Sequence, residues 1–231
     1  MLRSWFIGLF DSAMELNRRQ ILADLPRHGG RLLDLGCDDG DWTMKLASVT
    51  PREGVHGVEV VEERAVVARS RGVEVVVADL AHVLPLTADT FDVIHANQVI
   101  EHVPDIDLFA TEILRLLKPG GLAIVSTENT SSWHNVFAAF CGWQMFSSTN
   151  LSGVRLGIGN PLAVHRGESD HVKTWTHKVL FSARGLREFF EAHGFEVVTL
   201  RGAGYHPLPA WLGQWDVSHS HFITVLARKP A

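Results

Sequence analysis

The stretch Arg31–Gly40, RLLDLGCDDG, decides the fold of this chain. Its three leucines form an apolar run typical of a buried strand, and Gly36 and Gly40 follow where a tight turn can lead into a helix. Glycine also lets a backbone come close to a ligand. The stretch therefore predicts a strand, a ligand-binding turn and a helix in succession.

Two further predicted strands carry an acidic residue near their ends. Glu59 lies in GVHGVEV, nineteen residues after Gly40, and Asp79 closes VEVVVAD. A strand, a glycine turn and a helix, followed by an acid about twenty residues later, form the pattern of a nucleotide site, because the acid accepts hydrogen bonds from ribose hydroxyls. The spacing predicts that the turn and Glu59 bind one nucleoside-containing cofactor.

The residues of the turn argue against a dinucleotide, and so against a dehydrogenase. The G-x-G-x-x-G fingerprint needs a second glycine where this chain has Asp38, and a third where it has Thr43 or Lys45, depending on register. The carboxylates of Asp38, Asp39 and Asp41 would also repel a pyrophosphate at the start of the helix. A cofactor with an amino group and a positive sulfonium fits this acidic turn better.

Five segments in the same order make the chain resemble class I S-adenosylmethionine-dependent methyltransferases, of the ubiquinone-type and type 11 group. They are LLDLGCDDG, VHGVEV, VVADL, LPLTADTFDVIHANQVIEHVPD and EILRLLKPGGLAIVSTEN. The resemblance implies S-adenosylmethionine as cofactor and a doubly wound, mostly parallel, seven-stranded α/β sheet with an antiparallel seventh strand. The predicted alternation of strands and helices agrees with this Rossmann-like methyltransferase fold.

The resemblance also implies roles for residues near the strand ends. Gly36 is expected beside the methionine moiety and Asp34 near its amino group. Glu59 is expected on the ribose hydroxyls, Asp79 on the adenine amino group, and Asn97 beside the reactive methionine end. The predicted cofactor-binding residues are Asp34, Gly36, Cys37, Gly40, Glu59, Val60, Asp79, Leu80 and Asn97.

Histidines supply the candidates for a proton acceptor. Most of the rate of methyl transfer comes from aligning the acceptor with the methyl group of the cofactor. An alcohol or amine acceptor must also lose a proton, and imidazole can accept it near neutral pH. Of His134, His165, His171 and His177, we select His171 and His134 as the catalytic candidates. Three of the four recur every six residues, which fits neither one helix face nor a zinc knuckle, so we expect no metal.

The chain divides into four predicted parts. They are an N-terminal helical segment (1–29), a cofactor-binding core (30–129), an inserted lid rich in aromatic residues and histidines (130–181), and the C-terminal part of the core sheet (182–231). The first part is expected to hold a helix over 10–25, and KPGG at 118–121 is expected to turn from a helix into the fifth strand. A second aromatic excursion, 204–218, is expected to cover the substrate together with the lid.

Composition limits the class of partner. The 231 residues are 46% hydrophobic and 20% charged, values ordinary for a globular α/β chain. The net charge of -5 argues against nucleic acid. Two cysteines without a C-x-x-C pair fit a reducing cytoplasm, and no apolar run is long enough to predict a transmembrane segment.

These observations predict S-adenosylmethionine-dependent methyl transfer, by O-methylation, to a small-molecule or a glycan- or lipid-linked acceptor. A homodimer is an allowed assembly. A quinone-type C-methyltransferase is an alternative that would use the same histidines to deprotonate a phenol. A non-catalytic domain that binds the cofactor and regulates a partner is the alternative that Asp38 and the lack of an obvious base favour.

Overall fold

A computed structural model describes residues 2–27, 29–49, 53–170 and 176–231, with side chains from Ile7 onward. Helices and strands alternate through the first half of the chain. The helices are α1 (Leu2–Asp24), α2 (Asp41–Val49), α3 (Glu62–Ser70), α4 (Ile106–Leu116), α5 (Trp133–Phe140) and α6 (Ala183–Ala192). The strands are β1 (Arg31–Leu35), β2 (Gly54–Glu59), β3 (Glu74–Val77), β4 (Phe91–Asn97), β5 (Leu117–Glu128), β6 (Glu196–Ala203) and β7 (Phe222–Arg228).

The seven strands form one sheet in the order β3-β2-β1-β4-β5-β7-β6. Strands β1 to β5 pair in parallel, and β7 lies antiparallel between β5 and β6. The predicted fold class and the antiparallel seventh strand are therefore confirmed. The strand order reverses between β1 and β4, and ligands of open α/β sheets bind at the carboxyl ends of the strands at such a point.

The central strands are apolar along their length because helices cover both faces of the sheet. Leu33 belongs to the core cluster that includes Phe109 of α4 and Phe190 of α6. Its neighbour Leu32 belongs to the opposite cluster with Ile21 of α1. Successive strand residues point to opposite faces, so a strand buried on both sides needs the continuous leucine run that the sequence shows.

Two predicted boundaries differ from the structure. Helix α1 begins at Leu2, well before residue 10, and its residues from Ile7 to Met14 contribute to the functional site described below. Strand β5 already begins at Leu117, and KPGG forms an irregularity within it, because Phe91 pairs with Leu117 whereas Val93 pairs with Leu122. Gly120 supplies the positive φ of +77° that this bulge requires.

The lid (130–181) and the second excursion (204–218) pack against each other. Asn129, buried at the end of β5, donates from its side-chain amide to the carbonyls of Ser218 and Ser220 at 2.9 and 2.8 Å. On the lid side, the indole of Trp133 donates to the hydroxyl of Tyr205 at 2.8 Å. No described helix combines the length and the apolarity needed to span a membrane.

Candidate active site

A cavity of about 390 Å³ opens at the carboxyl ends of β1, β2 and β4, where the strand order reverses. Its wall includes five of the nine predicted cofactor-binding residues. These are Gly36, Glu59, Val60, Asp79 and Leu80. We call this space the cofactor cavity.

The Glu59 carboxylate is held in place by backbone groups. Its Oε2 accepts a hydrogen bond from the N–H of Asp38 at 3.0 Å, and its Oε1 accepts from Val60 and Val61 at 3.0 and 2.9 Å. A carboxylate offers about four acceptor positions, so about one remains for a donor in the cavity. A ribose hydroxyl is such a donor.

The glycine turn brings backbone to the cavity wall. Gly36 has a φ of +73°, and a Cβ on it would lie 2.8 Å from Val99 Cγ2, so a side chain there would be both strained and in collision. Asp38 adopts φ +48°, a left-handed conformation that aspartate tolerates, and its carboxylate is paired with the Arg64 guanidinium. The irregular position in the turn thus keeps a glycine-like backbone.

The predicted adenine-binding residues lie along the same wall. Val60 is 54% exposed, which leaves its apolar surface open to a flat ring. Asp79 is exposed, and its Oδ1 accepts from the N–H of Ala81 at 2.9 Å. That bond caps the turn after β3, and the other carboxylate oxygen, Oδ2, lies 3.8 Å from His82 Nδ1.

Asp34 and Asn97 do not line the cofactor cavity, contrary to expectation. Asp34 is buried, one of its oxygens accepts from the Thr43 hydroxyl, and the other lies 2.7 Å from His95 Nδ1. Asn97 Oδ1 accepts from the side chain of Asn17 in α1 at 3.1 Å. Both side chains therefore tie strands to helices, and neither faces the cavity.

Cys37 and Gly40 also serve packing. The Cys37 thiol lies against Gly57, where an added Cβ would come within 2.5 Å of Sγ. Burial, and secondly the negative charge of nearby Asp34, raise the pKa of this thiol to about 12. A Cβ on Gly40 would lie 3.0 Å from the Ala68 backbone, so this glycine allows the turn to approach α3. Neither residue lines the cofactor cavity, and their contact with the cofactor stays a prediction.

A second and larger space, of about 620 Å³, lies on the other side of Gln98. Apolar side chains from α1 and the lid line it, including Phe10, Met14 and Phe146. Its polar lining is dominated by imidazoles. They belong to His102, His134, His165, His177, His206 and His221. We call this space the acceptor cavity.

The two cavities meet at Gln98 and His102, which line both. Gln98 has a φ of +57°, a strained conformation for a residue other than glycine. Its buried Nε2 has no hydrogen-bond partner among the described residues. A buried donor without a partner, placed between two cavities, fits a site where a ligand supplies the acceptor. The sequence carries no signal for this backbone conformation.

A group of ionisable side chains surrounds this junction. His102 Nδ1 lies 3.2 Å from the carbonyl oxygen of Thr176, and its ring is 4.9 Å from that of His177. Burial lowers the pKa of His102 to about 4 and raises that of Glu101 to about 8. Near neutral pH the imidazole is therefore uncharged and the Glu101 carboxyl is largely protonated.

The two catalytic candidates fare differently. His171 lies outside the described residues. His134, on α5, faces the acceptor cavity, and burial lowers its pKa to about 3. Two groups of three side chains each bring one potential metal-ligand atom within 4.8 Å of the others. They are His134 with His206 and His221, and Glu101 with His102 and His177.

Sequence reasoning overlooked several residues of this site. His206 and His221 were not singled out because they lie far along the chain from His134, and no short spacing joins them. Glu128, at the end of β5, also lines the acceptor cavity, and burial raises its pKa. Its position at the carboxyl end of a central strand was the available signal.

Comparison with known proteins agrees with this geometry. A family model described as a methyltransferase domain matches residues 11–200. The human mitochondrial ubiquinone biosynthesis O-methyltransferase is 27% identical over 219 residues, which are 88% of this chain and 52% of the human protein. The corresponding Sinorhizobium fredii enzyme is 26% identical over 95% of this chain and 81% of its own length. This chain thus spans about half of the human relative and about four fifths of the bacterial one.

Solved structures share the fold. A Thermotoga maritima S-adenosylmethionine-dependent methyltransferase, described as a possible histamine N-methyltransferase, has a TM-score of 0.65 and 20% identity, and the match covers 98% of this chain and 93% of that one. One from Mesorhizobium loti has a TM-score of 0.60 at 20% identity, covering 91% and 96%. The family match spans most of the chain, and the cavity lies at the reversal of strand order, where open α/β sheets bind ligands. The chain belongs to the methyltransferase domain family, and its fold is that of S-adenosylmethionine-dependent methyltransferases.

Proposed function

We propose that this enzyme methylates the phenolic oxygen of an apolar aromatic acceptor. The observation that carries the proposal is the junction of the two cavities at Gln98 and His102. The acceptor cavity, at about 620 Å³, has the size and the mostly apolar lining of a small-molecule site. The relatives named ubiquinone biosynthesis O-methyltransferase support oxygen as the methylated atom.

The residues of the cofactor cavity fit S-adenosylmethionine. Gly36 leaves room that a Cβ would fill, and Gln98 offers a buried donor without a partner among the described residues. Glu59 would hold the ribose, Val60 would cover the adenine, and Asp79 would accept from its amino group. When bound, the cofactor supplies a methyl group that its sulfonium already activates.

His102 is the residue that we propose as the proton acceptor. Its Nδ1 faces the Thr176 carbonyl, which can only accept, so Nδ1 carries the ring proton and Nε2 keeps its lone pair. Among the histidines that the structure describes, His102 alone lines both cavities. The phenolic proton would pass to Nε2 as the oxygen gains its methyl group. Burial lowers the pKa of both His102 and His134, so position at the junction of the two cavities, rather than basicity, favours His102 over the predicted His134.

The outer surface of the lid supports a lipid-linked acceptor. Helix α5 presents His134 to the cavity and Val136, Phe137 and Phe140 to the outside, and Phe140 is 90% exposed. An apolar tail leaving the acceptor cavity would find an apolar surface beside it. We propose this acceptor class over a glycan-linked one, since the exposed groups are aromatic and aliphatic.

We also propose a cytoplasmic, reducing location, which two free cysteines support, one buried and one exposed. Homodimer formation stays a prediction, and sedimentation would measure it.

The test is a methyl-transfer assay with catechols and hydroquinones that carry short or long apolar tails. We expect a methyl group on oxygen, identified by NMR of the product, and a lower KM for the long-tailed acceptors. His102→Asn should lower kcat by about 10²–10⁴-fold, the contribution of a general base. His165→Asn, at the exposed edge of the same cavity and paired with Glu168 at 3.0 Å, is the matched control.

Two results would redirect the proposal. A methyl group on carbon would identify the quinone-type C-methyltransferase instead. Tight S-adenosylmethionine binding without transfer to any acceptor of the panel would favour the regulatory alternative.

A further inference from the structure

Three imidazoles from distant parts of the chain meet in the wall of the acceptor cavity. His134 comes from α5, His206 from the second excursion, and His221 from the residue before β7. Their ring centroids lie 4.4 to 5.2 Å apart, and one nitrogen of each lies within 4.8 Å of the others. We call these residues the three-histidine group.

The group contains more nitrogen atoms than its neighbours satisfy. His134 Nδ1 and His206 Nε2 are buried and have no hydrogen-bond partner among the described residues. His206 Nδ1 and His221 Nδ1 face each other at 3.0 Å. Leaving a buried ring nitrogen without a partner is unfavourable, so a ligand that takes up the lone pair of His134 Nδ1 would relieve that ring.

One nitrogen pair of the group has nearly the spacing that a tetrahedral metal ion requires. Two ligand atoms at the Zn–N distance of about 2.0–2.1 Å are separated by about 3.3 Å, close to the 3.0 Å between His206 and His221. No thiolate or carboxylate belongs to the group, and imidazole ligands suit zinc and related divalent ions.

Surrounding side chains resemble the supporting partners of known metal ligands. The Ser132 hydroxyl lies 3.3 Å from His134 Nε2, on the ring edge away from the orphaned Nδ1. A carboxylate oxygen of Glu128 lies 4.0 Å from His221 Nε2. Hydroxyl and carboxylate partners on the second ring nitrogen fix the orientation of metal-bound histidines.

We propose that the three-histidine group binds a divalent transition-metal ion, with zinc as the best match, and leaves one coordination position open to the acceptor cavity. Three histidines with a fourth open position are the arrangement of catalytic rather than structural zinc sites. Resting on the proposed function, we assign the open position to an oxygen of the acceptor, which the ion would hold and make more acidic. This proposal differs from the expectation of no metal drawn from the sequence. Spacing along the chain cannot show that His134, His206 and His221 come together in the fold.

The experiment measures metal binding directly, without any assay of activity. Full-length protein is treated with EDTA, dialysed, and titrated with Co²⁺, whose visible absorption reports tetrahedral coordination, and with Zn²⁺ in competition. We expect about one ion per chain and a higher Tm when the ion is bound. His206→Asn and His221→Asn should each weaken Co²⁺ binding by at least about 100-fold, since each removes a direct ligand.

Two controls decide between this group and its surroundings. His177→Asn alters the neighbouring group of Glu101 and His102 and should leave the Co²⁺ spectrum unchanged, as should His165→Asn. Wild-type protein that binds no Co²⁺ or Zn²⁺ would overturn the inference whatever the variants do. A spectrum that is lost in His177→Asn but kept in His206→Asn would overturn it as well.

The two proposals fail separately. If metal binds but phenols are not methylated, the metal site stands and the proposed function does not. If the metal-free protein methylates phenols and binds no ion, the proposed function stands and the metal site does not.

Discussion

The backbone N–H of Asp38 donates to the carboxylate of Glu59 at 3.0 Å, and this bond joins the turn after β1 to the end of β2. The irregular residue of the turn and the acid twenty-one positions further on are therefore one structural unit. The turn tolerates aspartate where a glycine is usual. Glu59 accepts from the left-handed backbone of Asp38, and Arg64 binds its side chain.

Replacing Glu59 should weaken cofactor binding. Glu59→Ala removes the charged acceptor from the cavity, so we expect the Kd of S-adenosylmethionine to rise by about 5–150-fold, or about 1–3 kcal/mol. Isothermal titration measures the change. Glu62→Ala is the control, because Glu62 pairs with Arg69 on the exposed surface of α3. Equal affinities for wild type and Glu59→Ala would show that the ribose lies elsewhere.

A methyl group at Gly36 should block the cofactor cavity. Gly36→Ala adds the strain of a positive φ, about 1–2 kcal/mol, and drives a Cβ to 2.8 Å from Val99 Cγ2. We expect lower stability in urea unfolding and loss of S-adenosylmethionine binding. Gly142→Ala is a matched control, since Gly142 has a φ of +69° and open space around the added Cβ. It should show the strain alone, with binding intact. Similar binding losses in both variants would contradict the steric argument.

The Glu112–Arg115 pair should make stability depend on pH. Arg115 donates to both oxygens of Glu112 at 2.7 Å and also to the carbonyls of Leu84 and Leu86, while Glu112 accepts from the N–H of Leu84 at 2.8 Å. Through these bonds α4 fixes the loop that follows the cofactor cavity. Hydrogen bonding to Arg115 is the main cause that lowers the pKa of Glu112 below its ordinary value of 4.5.

A folded-state pKa below the unfolded value stabilises the protein above the unfolded pKa, and that contribution is lost as pH falls through the folded one. Glu112→Gln should therefore cost about 1–3 kcal/mol of unfolding free energy near neutral pH and progressively less below pH 4.5. Urea unfolding over this pH range measures the difference. Glu188→Gln, in the exposed pair with Arg184, should have almost no effect. A loss that is constant with pH would exclude the ionic explanation.

The two cysteines should differ in reactivity. Burial raises the pKa of Cys37 to about 12, so its thiolate is scarce near neutral pH, whereas Cys141 is exposed. Iodoacetamide should label Cys141 quickly in the folded protein and Cys37 only after unfolding, and peptide mass spectrometry would locate the label. Cys141→Ser should remove the fast reaction. Rapid labelling of Cys37 in the native state would mean that the turn opens readily.

The sequence predicted the cofactor side of the site better than the acceptor side. Gly36, Glu59 and Asp79 lie in short segments whose order and spacing specify a strand, a turn and an acid, and all three line the cavity. Asp34 and Asn97 occupy the same strand ends but point elsewhere. The direction of a side chain at a strand end depends on its partners in neighbouring elements, here His95 and Asn17, and no local pattern shows them.

The acceptor side depends on contacts between distant residues. His134 and His221 are brought together only when α5 and the start of β7 pack, and Phe10 of α1 joins them from the other end of the chain. The content of aromatic residues and histidines predicted that the lid would cover the substrate. It could not identify which of the histidines would meet, because loop packing is not periodic.

Gln98 and His102 are the only residues that line both cavities in the described part of the chain. The remaining wall of the cofactor cavity comes from residues 36–104, while most of the acceptor wall comes from α1, the lid and the second excursion. Under the proposed function, preference for the methyl donor and preference for the acceptor are encoded in separate stretches of sequence. Substitutions in α1 or α5 can change the acceptor while leaving the donor site intact, so the architecture lets a lineage acquire new substrates without first losing its cofactor.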